Sequence, residues 1–278
     1  MSDAYLRGRA AMVTGGGSGQ GRAVALALAA AGADVAIGSL TAMSAQADER
    51  EDTYFPAAEE VESARREIEA TGVRAIARDL DVRSNESVQA FYDAAVAAFG
   101  KVDILANVAG ASLEQPMVGH TDALWHAIID VNLNGYYRTI KRVLPGMIER
   151  KWGRIVCVAS TAASVGAKDN AAYCASKAGI LGLMRCVALE GAPHGVTCNA
   201  ISPGFVETGM MRKALTSMVA REGRQRTPET YIAEVIASYP QKRIIQPEEI
   251  GALAAFLCRD EARGVTMENI TVAAGASW

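Results

Sequence analysis

Three residues in the second half of the chain, Ser160, Tyr173 and Lys177, have the types and spacing of an acid–base site. Ser160 follows an apolar run that predicts a strand, and Tyr173 and Lys177 lie one turn apart on a predicted helix, so both project from the same face. A phenol titrates near pH ~10, and a neighbouring ammonium group lowers that pKa. Tyr173 could then exchange a proton with a substrate oxygen while Ser160 hydrogen-bonds the same oxygen, and Lys177 could also hold a nicotinamide ribose.

A glycine-rich turn near the N-terminus is the second stretch with recognisable chemistry. The sequence TGGGSGQG at 14–21 lies between an apolar run at 10–13, which predicts a strand, and an Ala- and Leu-rich segment at 22–31, which predicts a helix. Glycines let a pyrophosphate approach the main chain, and the helix N-terminus offers it N–H groups without helical partners. The residues predicted to hold a dinucleotide here are Gly15, Gly17, Ser18, Gly19, Gln20 and Gly21.

Strands and helices alternate along the chain and must bring these two sites together. The predicted strands are 10–13, 34–39, 73–80, 102–106, 154–159, 196–201 and 270–273, and the predicted helices are 22–31, 57–71, 84–99, 121–133, 136–150, 171–192, 210–220, 228–238 and 247–258. This alternation predicts an α/β fold, a doubly wound, mostly parallel sheet of about seven strands flanked by helices, with the site at the carboxyl edge of the strands. We expect one Rossmann-type domain over 1–278, in which 205–246 forms a lid.

Composition narrows the classes of protein. The chain has 278 residues, half of them hydrophobic, and a net charge of −3, so nothing global suggests binding to nucleic acid or to an anionic membrane. Five scattered cysteines without a CxxC pair predict reduced thiols, and the first residues lack the apolar segment of a signal peptide, so we expect a cytoplasmic protein. The three histidines show no ligand spacing, and we expect no metal site.

Further motifs follow in a fixed order: Thr14-Gly15 with Gly19 and Gly21, Asp81-Val82, Asn107-Val108-Ala109-Gly110, Asn132 in a Val-Asn-Leu setting, then Ser160, Tyr173 and Lys177, and Pro203-Gly204. Over nearly its whole length the chain resembles the short-chain dehydrogenase/reductase family. The resemblance implies hydride transfer between a nicotinamide cofactor and a secondary alcohol or ketone. It adds Asn132 to the catalytic residues, and it adds to the cofactor contacts Asp81, Val82, Asn107, Ala109, Gly110, Tyr173, Lys177, Pro203, Gly204, Val206 and Thr208.

The end of the second strand decides the choice of cofactor, because an acid there binds the ribose hydroxyls of NAD and repels a 2′-phosphate. The chain has Ser39 and Leu40 at this point, with no acid before Asp48 and no base before Arg50. Ser39 could donate to a phosphate, so the sequence favours NADP(H) slightly over NAD(H). The alternative is that the acidic insertion at 40–55, which is unusually long, folds back and supplies a carboxylate.

Only a few residues in the sequence point to the substrate. Ser112, just after Gly110, and Asn170, just before Tyr173, are predicted to face the substrate together with Ser160 and Tyr173. A run of basic residues at 212–226 could recruit an anionic substrate, although a solvated face or a subunit contact is the more common reason for such a run.

Assembly and two other classes of function complete the expectations. Ala-rich helices and the family resemblance predict a homotetramer, with a dimer second. An epimerase or dehydratase that retains its cofactor stays open, as does a nucleotide-binding regulator without turnover. The intact Asn132, Ser160, Tyr173 and Lys177 argue against the regulator, and the short chain leaves too few residues for the separate substrate domain of the larger epimerases.

Overall fold

A computed structural model of the chain describes residues 4–44, 54–222 and 227–276. Within these residues the strands are β1 (Ala10–Thr14), β2 (Asp34–Ser39), β3 (Ala75–Asp79), β4 (Ile104–Asn107), β5 (Gly153–Val158), β6 (Val196–Pro203) and β7 (Asn269–Val272). The α-helices are α1 (Gly19–Ala30), α2 (Ala58–Ala70), α3 (Asn85–Phe99), α4 (Asp122–Ile129), α5 (Gly135–Glu149), α6 (Ala171–Gly191), α7 (Gly209–Glu222), α8 (Pro228–Ser238) and α9 (Pro247–Leu257).

The strands form one parallel sheet in the order β3-β2-β1-β4-β5-β6-β7. The strand order therefore reverses between β1 and β4, where the chain winds outward in both directions. The carboxyl ends of these two strands pair directly, with Thr14 opposite Asn107. Such a reversal point opens a crevice at the strand ends, which is where doubly wound sheets bind their ligands. The predicted fold class is confirmed.

Two apolar layers hold helices on the two faces of the sheet. One contains side chains of α3 to α6, such as Phe91, Tyr136 and Ile180. The other contains side chains of α1, α2 and α9, among them Leu28 and Ile250. The strands between these layers are buried on both faces, which explains their continuous apolar runs.

Local signals set several boundaries. The side chain of Ser84 accepts a hydrogen bond from the Ser87 N–H and caps α3, while Gly100, at a φ of 83°, ends the same helix in a left-handed conformation. The helices predicted at 121–133 and 136–150 differ from expectation, because a π-helical turn, Asp130–Asn134, joins α4 to α5 without a break. The extra residue of such a turn rotates the side chains it carries, and Asn132 is one of them.

The two described ends of the 40–55 insertion lie next to each other, because the Ala42 N–H donates to the Pro56 carbonyl at 3.0 Å. Residues 45–53, which contain the acids of the insertion, lie outside the described residues. At the other side of the cleft, Met211 and Leu215 of α7 form a small cluster with Ile232 and Ile236 of α8 and with Ile244 in the segment after α8.

One described segment, Ala171–His194, is long and apolar enough to cross a membrane by length and composition alone. It contains α6, which packs along β6 and carries the buried Lys177. An apolar helix is expected in that position in the core of an α/β sheet, so the segment is weak evidence for a membrane span.

Candidate active site

The glycine turn after β1 has no room for side chains, and at Gly15 and Gly21 the obstacle is the main chain itself. A Cβ on Gly21 would lie 1.9 Å from the Gly15 carbonyl oxygen, so α1 begins directly on the main chain of the turn. Gly15 has a φ of 68°, and a Cβ there would meet the backbone of Ala109 at 3.0 Å. The N–H groups of Gly15 and Gly16 donate to the Gly38 carbonyl at 2.7 and 3.3 Å, which fixes the turn against β2.

The start of α1 faces the cleft with polar groups, both donors and an acceptor, that the described chain does not use. Ser18 is the N-cap residue, yet its side chain makes no capping hydrogen bond. Next to it, Oε1 of Gln20 is buried without a hydrogen-bond partner in the described chain. Unused N–H groups at a helix N-terminus suit an anion, and an orphaned acceptor suits a donor such as a ribose hydroxyl. These groups fit the pyrophosphate of a dinucleotide.

Thr14 connects the turn to the loop that follows β4. Its Oγ1 accepts hydrogen bonds from the Val108 and Ala109 N–H groups, both at 3.1 Å. Asn107 is fully buried, with Oδ1 accepting from Thr139 at 2.8 Å and Nδ2 left without a partner. The loop carrying Ala109 and Gly110 is thereby held as the floor of the crevice between β1 and β4.

Ser160 and Tyr173 meet at the end of β5. The Oγ of Ser160 accepts from the Ala162 N–H at 3.1 Å, which leaves its own proton for a second partner. That partner is the Tyr173 hydroxyl, with which Ser160 forms a hydrogen bond. The two hydroxyls therefore lie close enough together to contact one substrate oxygen.

Lys177 lies below Tyr173 in the same helix. Its Nζ donates to the Val158 carbonyl at 2.9 Å and lies 5.6 Å from the centre of the Tyr173 ring. The Tyr136 hydroxyl donates to the same carbonyl, also at 2.9 Å. Burial lowers the pKa of Lys177 to about 8, against an ordinary value of 10.5, because an ammonium group loses its hydration here.

The pKa of Tyr173 is raised, whereas the sequence predicted that Lys177 would lower it. Burial raises the pKa of the phenol, and the hydrogen bond from Ser160 lowers it by a smaller amount. Lys177 does not lower it in this structure, because its ammonium group is directed at the Val158 carbonyl rather than at the phenol oxygen. Tyr173 is therefore a protonated donor in the protein without ligands.

Asn132 uses its whole side chain for internal hydrogen bonds. Its Oδ1 accepts from the Ala111 N–H at 2.8 Å, and its Nδ2 donates to the Ala111 carbonyl at 2.9 Å and to the Ser176 Oγ at 3.0 Å. Ser176 in turn donates to the Tyr173 carbonyl at 2.7 Å. In this structure Asn132 therefore positions the loop after β4 against the helix of Tyr173.

A single cleft brings together most of the predicted cofactor residues. Those that line it are Gly15, Ser18, Gly19, Gln20, Gly21, Ser39, Leu40, Asp81, Val82, Ala109, Gly110, Tyr173, Lys177 and Thr208. Other predicted residues do not line it: Gly17, Asn107, Asn132, Ser160, Ser112, Asn170, Pro203, Gly204 and Val206.

Pro203, Gly204 and Val206 do not line the cleft because they contact other parts of the fold. The Gly204 N–H donates to the Val272 carbonyl at 2.9 Å, and Gly204 packs on Ala273. Val206 is buried in the apolar layer that also contains side chains of α9. Of this motif only Thr208 reaches the cleft, where its methyl group would lie 3.2 Å from a Cβ on Gly19. The main function of Pro203-Gly204 in this structure is to end β6 against β7.

Two of the predicted substrate residues, Asn170 and Ser112, lie outside the lining of the cleft. Asn170 donates through Nδ2 to Oε1 of Glu114 at 3.2 Å, and its Oδ1 is buried without a partner. Ser112 is partly exposed in the loop after β4. Of the basic run, Arg212 is ion-paired with Glu207 at 2.6 Å, whereas Arg224 and Arg226 lie outside the described residues.

Sequence reasoning missed the wall that follows the insertion. Tyr54, Phe55, Pro56 and Glu60 line the cleft, as do Gly209 and Met210 at the start of α7. A Cβ on Gly209 would lie 3.0 Å from the Tyr54 ring, so the two walls touch. The only sequence signal was the aromatic pair immediately before Pro56, at the end of a polar stretch.

At the adenosine end, Ser39 is buried and its Oγ accepts from the Gly17 N–H at 2.9 Å. Asp81 is held by a two-pronged contact with Arg83, and Val82 packs on Gly135. Among the described residues no cluster of three or more His, Cys, Asp or Glu side chains could hold a metal ion.

A doubly wound sheet with a glycine turn at its reversal point, and a Ser–Tyr–Lys set beside it, defines an oxidoreductase that uses a nicotinamide dinucleotide. Residues 15–277 match the sequence family described as enoyl-(acyl carrier protein) reductase. The chain is 36% identical to the 3-oxoacyl-[acyl-carrier-protein] reductase of Vibrio cholerae over 70% of its length and 75% of that protein. It is also 36% identical, over the same shares, to the D-beta-hydroxybutyrate dehydrogenase of Cupriavidus necator.

A solved structure of a variant of actinorhodin polyketide ketoreductase with NADPH superposes with a TM-score of 0.85, at 32% identity, covering 96% of each chain. The chain belongs to the short-chain dehydrogenase/reductase family. It is an NAD(P)-dependent enzyme of that family.

Proposed function

We propose that this enzyme interconverts a small secondary alcohol and its ketone, with Ser160, Tyr173 and Lys177 as its catalytic groups. The observation that supports this most is that Tyr173 and Lys177 both line the dinucleotide cleft, with Ser160 beside the phenol at the end of β5. When bound, the nicotinamide supplies or accepts the hydride.

The chain's own groups handle the proton and the substrate oxygen. Tyr173 donates its proton to the oxygen of a ketone, or takes the proton of an alcohol, while Ser160 donates a hydrogen bond to that oxygen. Lys177 would hold the ribose next to the reacting carbon. Asn132 acts in this proposal as a positioning residue, because its side chain is fully used by Ala111 and Ser176.

The substrate is a carbonyl compound or its alcohol, and the names of the relatives support an acyl chain with an oxygen at the third carbon. Ser112 and Asn170 would contact it. The segment 205–246 serves as a lid in this proposal, because α7 and α8 hold together mainly through a small cluster of their own. Its position at the cleft edge suits closure over a bound substrate.

The expectation of NADP(H) rests on Ser39, since a serine leaves space where an acid would repel a 2′-phosphate. The NADPH in the ketoreductase structure is consistent with it. Arg22, the nearest base in the turn, gives it little support, because its guanidinium is ion-paired with Glu67.

A cytoplasmic homotetramer, with a dimer second, is the proposed state of the single domain over 1–278. Exposed Tyr137 on α5 and Leu189 on α6 support an assembly through these helices. No nucleic acid or membrane has a part in this proposal.

The test is a panel of secondary alcohols and ketones assayed with each cofactor by the absorbance of reduced nicotinamide. Net oxidation or reduction that Tyr173→Phe abolishes supports the dehydrogenase. Isomerisation or dehydration without net absorbance change would support the epimerase-like alternative. Tight cofactor binding without turnover of any compound would support the regulator.

A further inference from the structure

The adenosine end of the cleft contains an acid that does not come from β2. Glu60, in the first turn of α2, lines the cleft together with Ser39 and Leu40 at the end of β2. In enzymes of this architecture the ribose hydroxyls lie at the end of the second strand, so a carboxylate from another element can reach the same ligand atoms.

The packing of α2 brings Glu60 to this point. A Cβ on Gly17 would lie 2.6 Å from Cγ2 of Val61 and 3.0 Å from Oγ of Ser39. The residue after Glu60 therefore touches the glycine turn at the position where Ser39 is hydrogen-bonded to it. The first turn of α2, the glycine turn and Ser39 form one corner of the cleft.

Tyr54 holds the Glu60 carboxylate from the other side. Its hydroxyl lies 2.8 Å from Oε1 and 2.7 Å from Oε2, and its ring packs on Gly209. Burial, with the hydrogen bond and the charge of Glu60, raises the pKa of Tyr54 to about 12, so the phenol keeps its proton and donates it. One shared proton leaves further lone pairs on both oxygens for ribose hydroxyls.

Two of the nearby cations, Arg22 and Arg83, are already paired, and Arg78, opposite Gly38 in the sheet, donates to the Ala77 carbonyl and does not line the cleft. Arg22 is bound to Glu67, Arg83 contacts Asp81 at 2.7 Å, and the Asp79 carboxylate accepts from the Thr41 N–H close to the same strand ends. The one Lys or Arg among the described residues lining the cleft is Lys177, at the nicotinamide end. Within the part of the chain that the structure describes, a phosphate on the ribose would therefore meet the Glu60 carboxylate with no guanidinium in the lining of the cleft.

We propose that Glu60, presented by Tyr54, excludes the 2′-phosphate of NADP(H) and makes this protein an NAD(H) enzyme. The inference rests on the proposed function and replaces the expectation drawn from Ser39. The acid that usually ends β2 is supplied here by the element that follows the insertion. Like charges a few ångströms apart at a partly buried site are strongly unfavourable, and we expect NADH to bind about tenfold or more tightly than NADPH.

The experiment measures dissociation constants of NADH and NADPH by isothermal titration calorimetry, a readout that does not need turnover. In Glu60→Gln we expect the ratio of the two constants to shift toward NADPH by about fivefold or more, since an amide keeps the shape and removes the charge. The matched control is Glu59→Gln, one residue earlier, where the side chain is 78% exposed and ion-paired with Arg66. It should leave the ratio unchanged within about twofold, because a solvated charge is screened.

Tyr54→Phe is the second variant, because it removes the hydrogen bond and keeps the charge. It should retain the preference for NADH. Wild-type protein that binds NADPH as tightly as NADH would overturn the inference while leaving the proposed function intact. So would a Glu60→Gln variant that gains equally for both cofactors, or a Glu59→Gln variant with the same shift. If neither cofactor binds to the wild type, the proposed function fails and the inference fails with it.

Discussion

Burial acts in opposite directions on the two ionisable groups at the centre of the site. It raises the pKa of the Tyr173 phenol and lowers that of the Lys177 ammonium, because each charged form loses hydration. Without ligands, therefore, the pair is biased toward a neutral phenol and an easily deprotonated lysine. A substrate oxygen next to Tyr173 then meets a donor, as reduction of a ketone requires.

We expect Tyr173→Phe to lose nearly all turnover, about a thousandfold or more, and to bind cofactor nearly as wild type. The phenol supplies the proton, whereas the glycine turn supplies most contacts to the dinucleotide. Steady-state kcat and calorimetric cofactor binding check the two parts separately. Substantial residual turnover would assign the proton transfer to another group.

The low pKa of Lys177 makes stability depend on pH in a defined direction. Between pH 8 and 10.5 the folded protein binds fewer protons at this residue than the unfolded chain does. The contribution of Lys177 to the unfolding free energy therefore rises with pH across that window and is lost as the pH falls through about 8.

In urea unfolding without ligands, we expect wild type to gain on the order of 2 kcal/mol relative to Lys177→Met between pH 7 and pH 9.5. The neighbouring Tyr136 and Tyr173 have raised pKa values, so their own contributions change only above this range. Thiols such as Cys198 and Cys258 titrate in both proteins and cancel in the difference. A flat difference between the two pH values would contradict the assignment.

At the scale of the elements, the π-helical turn between α4 and α5 connects parts of the site that are distant in sequence. It places Asn132 between Ala111 in the loop after β4 and Ser176 in α6. These hydrogen bonds are buried, so each partner would be left unsatisfied if the amide were removed.

Asn132→Ala should destabilise the protein by about 2–4 kcal/mol, because three buried hydrogen bonds lose their partner and a small cavity forms. Chemical denaturation gives the value. Asn134→Ala is the control in the same turn, since that side chain makes one partly buried hydrogen bond to Asp130. Its cost should stay within about 1 kcal/mol. An equal loss of unfolding free energy in the two variants would mean that any substitution in the π-helical turn is destabilising, and not the loss of the Asn132 hydrogen bonds in particular.

At the scale of the whole molecule, apolar side chains remain exposed on the outer helices. Leu189 on α6 is 66% exposed and Tyr137 on α5 is 49% exposed. Exposed apolar residues on these two helices are suitable for a contact between subunits, which the family resemblance also implies. We expect a homotetramer of the 29.3 kDa chain.

Light scattering should give a mass near four times that of the chain, and Leu189→Glu should lower it to that of a dimer or a monomer, because a charge would be buried at the contact. Met117→Glu is the control, as Met117 is similarly exposed, at 71%, but lies in the loop after β4. A wild-type mass equal to one chain would refute the assembly, and an equal loss of mass in the control would refute this interface.

The sequence by itself determined the elements and the features that depend on near neighbours. Periodicity fixed the alternation of strands and helices, and Tyr173 and Lys177 share a face because a helix turn spans four residues. The glycine turn could be recognised because only glycine fits at Gly21, where a Cβ would lie 1.9 Å from the Gly15 carbonyl oxygen. The fold class follows from this alternation, since parallel strands need helical crossovers.

Only the tertiary structure decided which distant groups share one corner of the cleft. Tyr54 joins Glu60 of α2, through a hydrogen bond, to Gly209 at the start of α7, through ring packing, and no local pattern encodes this meeting. The same holds for the partners of Asn132 and for the Val158 carbonyl, which accepts the hydrogen bond of Lys177 in place of the phenol. Burial and long-range hydrogen bonds set the charges of these groups, and both exist only once the chain has folded.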